Sequence, residues 1–127
     1  MRKRVLISIV AALAAALFVS VSAAFASCIY ATAAEHRARA DVIFDGVALE
    51  GPTATGVQRF RVTRYLKGRG PTIVRVNTGN VRRSDGTTGS VTSVSIVVKR
   101  GERWRIFAQG SPRTILRTTV CDGSRKR

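Results

Sequence analysis

The chain has 127 residues, with 22 Lys and Arg against seven Asp and Glu, one His and two Cys, and its formal net charge is +15. This length gives room for one domain, and a hydrophobic content of 45% supports a folded core, which excludes a fully disordered chain. One His and two Cys cannot build a zinc finger, and a dehydrogenase or a kinase would not fit. The positive charge indicates an acidic partner or surface without naming it.

The N-terminal segment predicts a secretory signal peptide over residues 1–26. A basic cluster, Arg2-Lys3-Arg4, precedes an uncharged run from Val5 to Ala26, and that run ends in the A-x-A pattern Ala24-Phe25-Ala26. The favoured cut follows Ala26. Because the basic cluster leaves with the signal, the net charge of the mature chain falls to +12.

Two other fates of this segment stay open. The apolar run of about 22 residues is long enough to span a bilayer if it is never cut. Phe25 to Cys28 also loosely resembles a bacterial lipobox, which would place a lipid on Cys28. Apart from these cases, we expect the chain to meet the membrane only transiently, through its signal segment, and to end outside the cell, in the periplasm or at the cell envelope.

The two cysteines predict one structural disulfide. Cys28 stands at the start of the mature chain and Cys121 near its end, and exported chains meet an oxidising compartment in which paired Cys persist as disulfides. A loop of this length would stabilise the fold by roughly 4–5 kcal/mol in the chain-entropy model. There is no C-x-x-C motif that would indicate a redox role.

About six short strands and one helix are predicted along the mature chain. The helix covers residues 31–40, where Ala is abundant and Glu35 precedes Arg39 by four residues. Gly46 lies inside the first strand and predicts a bulge or bend. The strands cover 42–49, 57–66, 72–76, 91–98, 103–108 and 114–120, with a polar loop at 77–89 and a polar basic tail at 122–127. This pattern is typical of small barrels and sandwiches.

Alternation within the strands separates a predicted core from a predicted basic surface. Phe60 and Val62 share one face of their strand, while Arg59 and Arg61 share the other. Phe44, Phe60 and Trp104 are predicted in the core by the same reasoning. Phe107 is out of phase with Trp104 and Ile106 and is flanked by Arg105, which predicts an exposed aromatic. Further basic groups are Arg64, Arg82-Arg83, Lys99-Arg100, Arg103 and Arg125-Lys126-Arg127.

Order and spacing of short segments along the mature chain resemble a known family. The segments are Cys28, A-R-A-D before F-x-G-x-A (38–48), F-R-V-T-R-Y-L-K-G (60–68), G-E-R-W-R-I-F-A (101–108) and Cys121. Together they resemble bacterial exported proteins similar to the tissue inhibitors of metalloproteinases, which have a netrin-like OB-fold. The resemblance implies a mainly all-β domain over residues 27–121: a small OB-like Greek-key barrel of five to six strands, with one short helix and its N-terminal segment tied to the barrel by the disulfide. The signal helix precedes it.

The resemblance also implies a binding site at the mature N-terminus. In that family the free α-amine and carbonyl of an N-terminal Cys chelate the zinc of the protease, which points to Cys28 and Ile29 here. The favoured cut leaves Ser27 ahead of Cys28, and the chain lacks the family's Cys-x-Cys and its central Cys. Metalloproteinase inhibition is therefore not expected of this chain.

No constellation in the sequence indicates catalysis, a cofactor or a metal site. His36 has no partner at ligand spacing other than nearby acids and is predicted on the surface. Asp41 and Asp45 are predicted at a helix terminus and at a turn or bulge, and no G-x-S-x-G elbow is present. We therefore predict a non-enzymatic binding module.

Two classes of partner remain for such a module. The first is a protein or envelope partner of unknown identity; the alternative is an envelope polyanion, such as anionic lipid, wall polymer or acidic glycan. Export argues against genomic nucleic acid. The candidate partner-binding residues are Cys28, Ile29, Arg59, Arg61, Arg105 and Phe107.

Overall fold

A computed structural model describes residues 28–127 of the chain. The predicted signal peptide and signal helix over residues 1–26, and Ser27 after them, lie outside the described residues. Within residues 28–127, no helix is both long enough and apolar enough to cross a membrane.

The described part of the chain is mainly β, as predicted, with one short α-helix. In chain order the elements are α1 (Ala33–Arg39), β1 (Val42–Ala48), β2 (Val57–Lys67), β3 (Ile73–Asn77), β4 (Asn80–Arg82), β5 (Thr88–Ser90), β6 (Arg103–Ala108), β7 (Ile115–Arg117), a 3-10 turn (Val120–Asp122) and β8 (Arg125–Lys126).

Six of the strands form one curled sheet in the order β7-β3-β2-β1-β6-β8. Neighbours are antiparallel except β3 and β7, which run parallel. Just beyond β6, Gln109 forms a two-bond antiparallel bridge to Arg117 at the end of β7. This bridge joins strands from opposite halves of the sheet, so the sheet bends round its own core as a half-barrel.

The concave inner face of this sheet carries the hydrophobic core. Phe44, Phe60 and Ile106 are fully buried there, and the partly buried rings of Tyr65 and Trp104 pack against them. Phe44 meets Phe60 edge-on, with 6.1 Å between ring centroids. The core predicted from strand alternation is thus confirmed for Phe44 and Phe60, and Trp104 packs against it while remaining partly exposed.

A β-bulge stands at the predicted glycine. The β1–β2 register shifts between Asp45 and Gly46, so that Asp45 pairs with Arg64 while Gly46 pairs with Val62. The extra residue resets the alternation of β2. Val62 and Tyr65 therefore both face the core although they are three positions apart.

Residues 91–98 were expected to form a strand, and this expectation is wrong. The segment has no ladder partner, although Ile96 and Val98 are buried in the predicted phase. Single bonds hold it instead: Ile96 N–H donates to Thr78 O at 3.1 Å, and the buried Gln58 amide donates to Val98 O at 3.0 Å. The alternation correctly indicates which side chains are buried, but the backbone groups of this segment bond singly to other parts of the chain, Ile96 N–H as a donor and Val98 O as an acceptor.

Three other boundaries also differ from the prediction. The expected polar loop at 77–89 contains a two-stranded hairpin, β4–β5. The expected strand at 114–120 is only three residues long before the chain turns into the 3-10 helix. The expected tail at 122–127 contains β8, which pairs with Arg105 and Trp104 of β6. Strands β4, β5 and β8 are short and mostly polar, so strand alternation gives no signal for them.

Helix α1 lies on the outer face of the sheet and is anchored at its ends. Thr32 and Glu35 form a capping box at its start. At its end, Lys67 Nζ donates to Arg37 O at 2.8 Å, where a cation also offsets the helix dipole. No residue of α1 is itself buried. The predicted disulfide between Cys28 and Cys121, with 5.1 Å between Cα atoms, ties the segment before α1 to the 3-10 turn.

Candidate anion-binding face

The outer face of the sheet is dominated by arginine. We call it the basic face, and its members, which come from β2, β3, β6 and the C-terminal segment, are Arg59, Arg61, Arg64, Arg75, Arg103, Arg105, Arg125 and Arg127. Arg59 lies opposite Arg75, and Arg105 opposite Arg125. Like charges directly opposite each other in a sheet are destabilising, and in each of these pairs one member, Arg59 or Arg105, is paired with a carboxylate.

All seven carboxylates of the chain lie within the described residues, and each is engaged by internal hydrogen bonds. Four of them accept from backbone N–H groups without pairing to a base: Glu35, Asp85 and Asp122 from residues two or three positions away, and Asp41 from the distant Gly110. The other three, Asp45, Glu50 and Glu102, pair with Arg59, Arg64, Arg105 and Lys126. Among residues 28–127, the remaining 15 Lys and Arg side chains have no carboxylate within 4.0 Å.

Asp45 holds the centre of the basic face together. Arg105 binds it in a bidentate manner, with Nε to Oδ1 at 2.7 Å and Nη2 to Oδ2 at 2.8 Å, and Arg64 adds a contact to Oδ2 at 3.3 Å. The hydrogen bonds from Arg105 outweigh burial and lower the pKa of Asp45. Asp45 therefore stays ionised and bound to its arginines, and the charge of Arg105 is balanced within the fold.

Glu50 neutralises Arg59 in a similar way. Its two oxygens accept from Arg59 Nε at 3.3 Å and Nη2 at 3.2 Å, and Oε1 also accepts from Arg59 N–H at 3.0 Å. The side-chain hydrogen bond from Arg59 is the main cause of the lowered pKa of Glu50. The guanidinium of Arg59 is thus held against Glu50, with its charge already balanced.

A groove of about 550 Å³ crosses the basic face, lined by the free arginines and also by Asp45, which is already paired with Arg105 and Arg64. Val47 is the middle residue of one row across three strands, with Arg61 opposite it on β2 and Arg103 opposite it on β6. Since neighbouring strands are about 4.8 Å apart, the backbones of these two arginines are about 10 Å apart. The short apolar side chain of Val47 lies between them. Arg127 extends the row, because its N–H donates to Arg103 O at 2.8 Å.

The candidate partner-binding residues fall into separate places. Arg59 and Arg61 are exposed on the basic face, as predicted. Cys28 and Ile29 lie apart from it, at the disulfide end; Ile29 is 84% exposed. The prediction of an exposed Phe107 is wrong, since the ring is only 6% exposed.

Different neighbours shield Phe107 and Arg105 from solvent on the outer face. Phe107 packs with Ala40, Ile43 and Leu66 in a second, smaller apolar cluster beneath α1. Arg105, next along the strand, is 13% exposed at its side chain, being clamped to Asp45. The out-of-phase position of Phe107 correctly placed it on the outer face, but the covering helix could not be inferred from alternation.

Two residues that line the groove, Val47 and Arg127, were not predicted from the sequence. Val47 is a single apolar residue in a strand, and its sequence context indicates no binding role. Only the strand register shows that it separates two arginines. Arg127 was assigned to a tail, whereas β8 brings it beside Arg103. The basic charge of residues 125–127 was the available signal.

The other residues considered for chemistry do not converge. Asp41 Oδ2 accepts from Gly110 N–H at 2.9 Å, while Asp45 is committed to its arginines. His36 was expected on the surface but is half-buried, with its ring edge-on to Phe107 at 6.4 Å between centroids. Among residues 28–127, no three His, Cys, Asp or Glu side chains form a cluster that could hold a metal ion.

Comparisons of the chain with protein-family models, with curated proteins and with solved structures found no match. The geometry of the molecule itself is therefore the basis for a functional assignment.

Proposed function

We propose that this protein is an exported, non-enzymatic binding module whose basic face binds a polyanion of the cell envelope, namely anionic lipid, wall polymer or acidic glycan. The observation that carries this proposal is the groove at Val47, flanked by Arg61 and Arg103 and extended by Arg127. These three guanidinium groups have no carboxylate partner within residues 28–127, whereas every carboxylate is already occupied. Arginine pairs readily with phosphate, sulfate and carboxylate oxygens.

The arrangement of the strands supports an OB-like Greek-key barrel as the scaffold of this module. The β1-β2-β3 meander, the parallel β3–β7 pair and the bridge from the end of β6 to β7 agree with that fold, which the resemblance implied. OB-folds bind oligomeric ligands on the face of their second and third strands. In this chain that face includes Arg59, Arg61 and Arg75.

The proposed place of action of the protein is an oxidising compartment. The Cys28–Cys121 disulfide is the kind of bond that persists outside the cytoplasm. There the accessible polyanions are anionic lipid headgroups, wall polymers and acidic glycans, which share closely spaced negative charges.

Salt-dependent binding to heparin and to vesicles of phosphatidylglycerol and phosphatidylcholine tests the proposal. We expect the exported protein to be retained and to elute only at elevated salt, because release requires ions to replace several arginine contacts. The triple variant Arg61→Gln/Arg103→Gln/Arg127→Gln should elute at clearly lower salt. At about 1 kcal/mol for each basic residue near an anionic surface, its binding to the vesicles should weaken by about two orders of magnitude.

A matched variant separates the groove from net charge. Arg69→Gln/Arg83→Gln/Arg113→Gln removes the same charge from exposed loop positions that do not line the groove, and it should keep most of the affinity. Equal loss in both variants, or elution of the wild type with a neutral control protein, would refute the proposed site. Retention on only one of the two matrices would assign the anion to glycan or to lipid.

A second candidate function, contact with a protein partner through the N-terminus, is favoured by one observation. The segment Cys28–Tyr30 is fixed by the disulfide and nevertheless exposes Ile29 by 84% and Tyr30 by 88%. An anchored apolar segment of this kind would suit a protein interface, in keeping with the proposed kinship to the metalloproteinase inhibitors. Intact mass of the exported protein tests its zinc-chelating form: only a free Cys28 amine permits chelation, so a Ser27 or acylated terminus would eliminate it.

A further inference from the structure

A second cavity lies between α1 and the outer face of the sheet, apart from the groove at Val47. It has a volume of about 210 Å³. Its floor is the smaller apolar cluster, with side chains of Ile43, Leu66 and Phe107, and Ala33 and His36 of α1 form its roof. The two cavities share no lining residue.

The cavity exists because α1 cannot fill the space beneath it. The helix sequence, AAEHRAR, has no large apolar side chain, and none of its residues is buried. The helix is held in place by the disulfide, by its contact with Lys67 and by the buried Ala40 that follows it. Ile43 and Phe107 of the floor pack within the smaller apolar cluster, and the His36 ring contacts Phe107, but no apolar side chain of the helix fills the remaining space above them.

The rim of the cavity is cationic. Arg37 and Arg125 are exposed at the rim and have no carboxylate partner within residues 28–127. The guanidinium of Arg125 lies 5.8 Å from the centre of the Phe107 ring, where it stacks over the apolar floor. Arg105 also lines the cavity, and its charge is balanced by Asp45. No acid is among the lining residues.

We propose that this cavity binds a small amphiphilic carboxylate, with its alkyl chain on Phe107, Leu66 and Ile43 and its carboxylate at Arg125 and Arg37. Charge complementarity selects an anionic head, and the apolar floor selects a hydrocarbon tail. An apolar cavity of about 150 Å³ accommodates benzene, so the larger space here suits a chain of about eight heavy atoms. The site is separate from the groove because it uses none of Arg61, Arg103 and Arg127, although Arg125 also belongs to the basic face.

Titration of the ¹⁵N-labelled exported protein with octanoate, followed by amide chemical shifts, tests this proposal. We expect saturable shifts concentrated at the lining residues Ala33, Phe107, Gly123 and Arg125. Acetate should produce no saturable shift at these positions, because it has no tail for the floor. Octylamine, which has the same chain and the opposite charge, should bind at least about tenfold more weakly than octanoate.

A pair of variants on α1 distinguishes filling of the cavity from a change in the helix. Ala33→Leu places a side chain at the cavity and should abolish octanoate binding. Ala34→Leu makes the same change at an exposed neighbour that does not line the cavity, and it should bind as the wild type does. Leu is a good helix former, so both variants should keep the fold, which their amide spectra would verify.

Charge is tested in the same titration. Arg125→Gln should weaken octanoate binding about tenfold, while Arg61→Gln/Arg103→Gln should leave it unchanged. Equal shifts with acetate and octanoate, or binding that survives Ala33→Leu, would overturn the proposal. So would the absence of binding at every chain length, whether the cavity stays empty or another part of the chain occupies it.

Discussion

Glu102 shows how one carboxylate can join three separate parts of this chain. Its oxygens accept from Lys99 N–H at 3.0 Å, from Trp104 Nε1 at 3.0 Å and from Lys126 Nζ at 2.9 Å. Burial alone would raise the pKa of Glu102, but these hydrogen bonds outweigh it and lower the pKa to about 2. The ionised side chain thereby connects the turn before β6, the edge of the core and β8.

This pKa predicts an acid-sensitive contribution to stability. The pKa is lower in the folded state than the ordinary value of 4.5, so the contribution is fully present above about pH 4.5 and is lost as the pH falls towards 2. We expect Glu102→Gln to lower the free energy of unfolding at pH 7 by about 1–2 kcal/mol, allowing for solvent screening.

Urea unfolding of both proteins at pH 7, 4.5 and 3 would measure this effect. The gap between wild type and Glu102→Gln should narrow as the pH falls below about 4.5, because the unfolded wild type then binds a proton at Glu102 that the folded protein, with its pKa of about 2, binds only in stronger acid. Other carboxylates also have lowered pKa values, so both proteins will weaken in acid. A gap that stays constant with pH would show that the hydrogen bonds of Glu102 do not depend on its ionisation.

At the scale of single elements, the bulge at Gly46 fixes the relation between β1 and β2. A Cβ atom at Gly46 would stand 2.9 Å from Arg61 O and 3.0 Å from Cε2 of the buried Phe44 ring. Neither neighbour can move away easily, because Arg61 O belongs to the backbone of the sheet and the Phe44 ring is packed in the core. The bulge also brings Arg64 opposite Asp45, where its side chain joins the ion pair.

We expect Gly46→Ala to lower the free energy of unfolding by about 2–3 kcal/mol, because the added methyl must displace the strand or the ring. Gly51→Ala is the matched control, since a Cβ there meets nothing within 4 Å; it should be neutral or slightly stabilising. Thermal unfolding measures both. Equal stability of the two variants would mean that β1 and β2 can separate at the bulge without loss.

The elements that could be predicted from sequence are those with a two-residue period. β1, β2, β3 and β6 follow the predicted segments closely because each alternates between core and basic face. The same rule failed at 91–98, where burial alternates without a ladder. Gln58 is the sequence signal for this exception, because it is a polar residue in phase with Phe60 and Val62. It donates to Glu50 O and Val98 O and accepts from Thr78 Oγ1.

The candidate site was predictable only in its composition. Arg59 and Arg61 could be placed on an outward face from β2 alone. The groove needs the register of three strands and the unforeseen β8, which come from long-range pairing and not from local pattern. The occupation of every carboxylate is likewise a property of the folded chain, since several partners are far apart in sequence, as Asp45 and Arg105 are.

For the molecule as a whole, the disulfide decides how firmly the N-terminal segment belongs to the fold. The main core and five of the six strands of the sheet lie between residues 42 and 117, while the bond joins residue 28 to residue 121; only β8 follows the second cysteine. Helix α1 buries none of its residues and is otherwise held chiefly by its bond to Lys67 and by Ala40. The half-barrel can therefore persist when α1 is released.

We expect Cys28→Ser/Cys121→Ser to lower the free energy of unfolding by about 2–4 kcal/mol, less than the full loop-closure value because α1 has few other contacts. Hydrogen exchange should become fast at the α1 amides and stay slow in β1, β2 and β6. Octanoate binding should also be lost, because the roof of its cavity would be free, whereas retention on heparin should be kept. Chemically reduced wild type should behave as the variant does. Unchanged protection of α1 in both would show that the helix is held by its own packing.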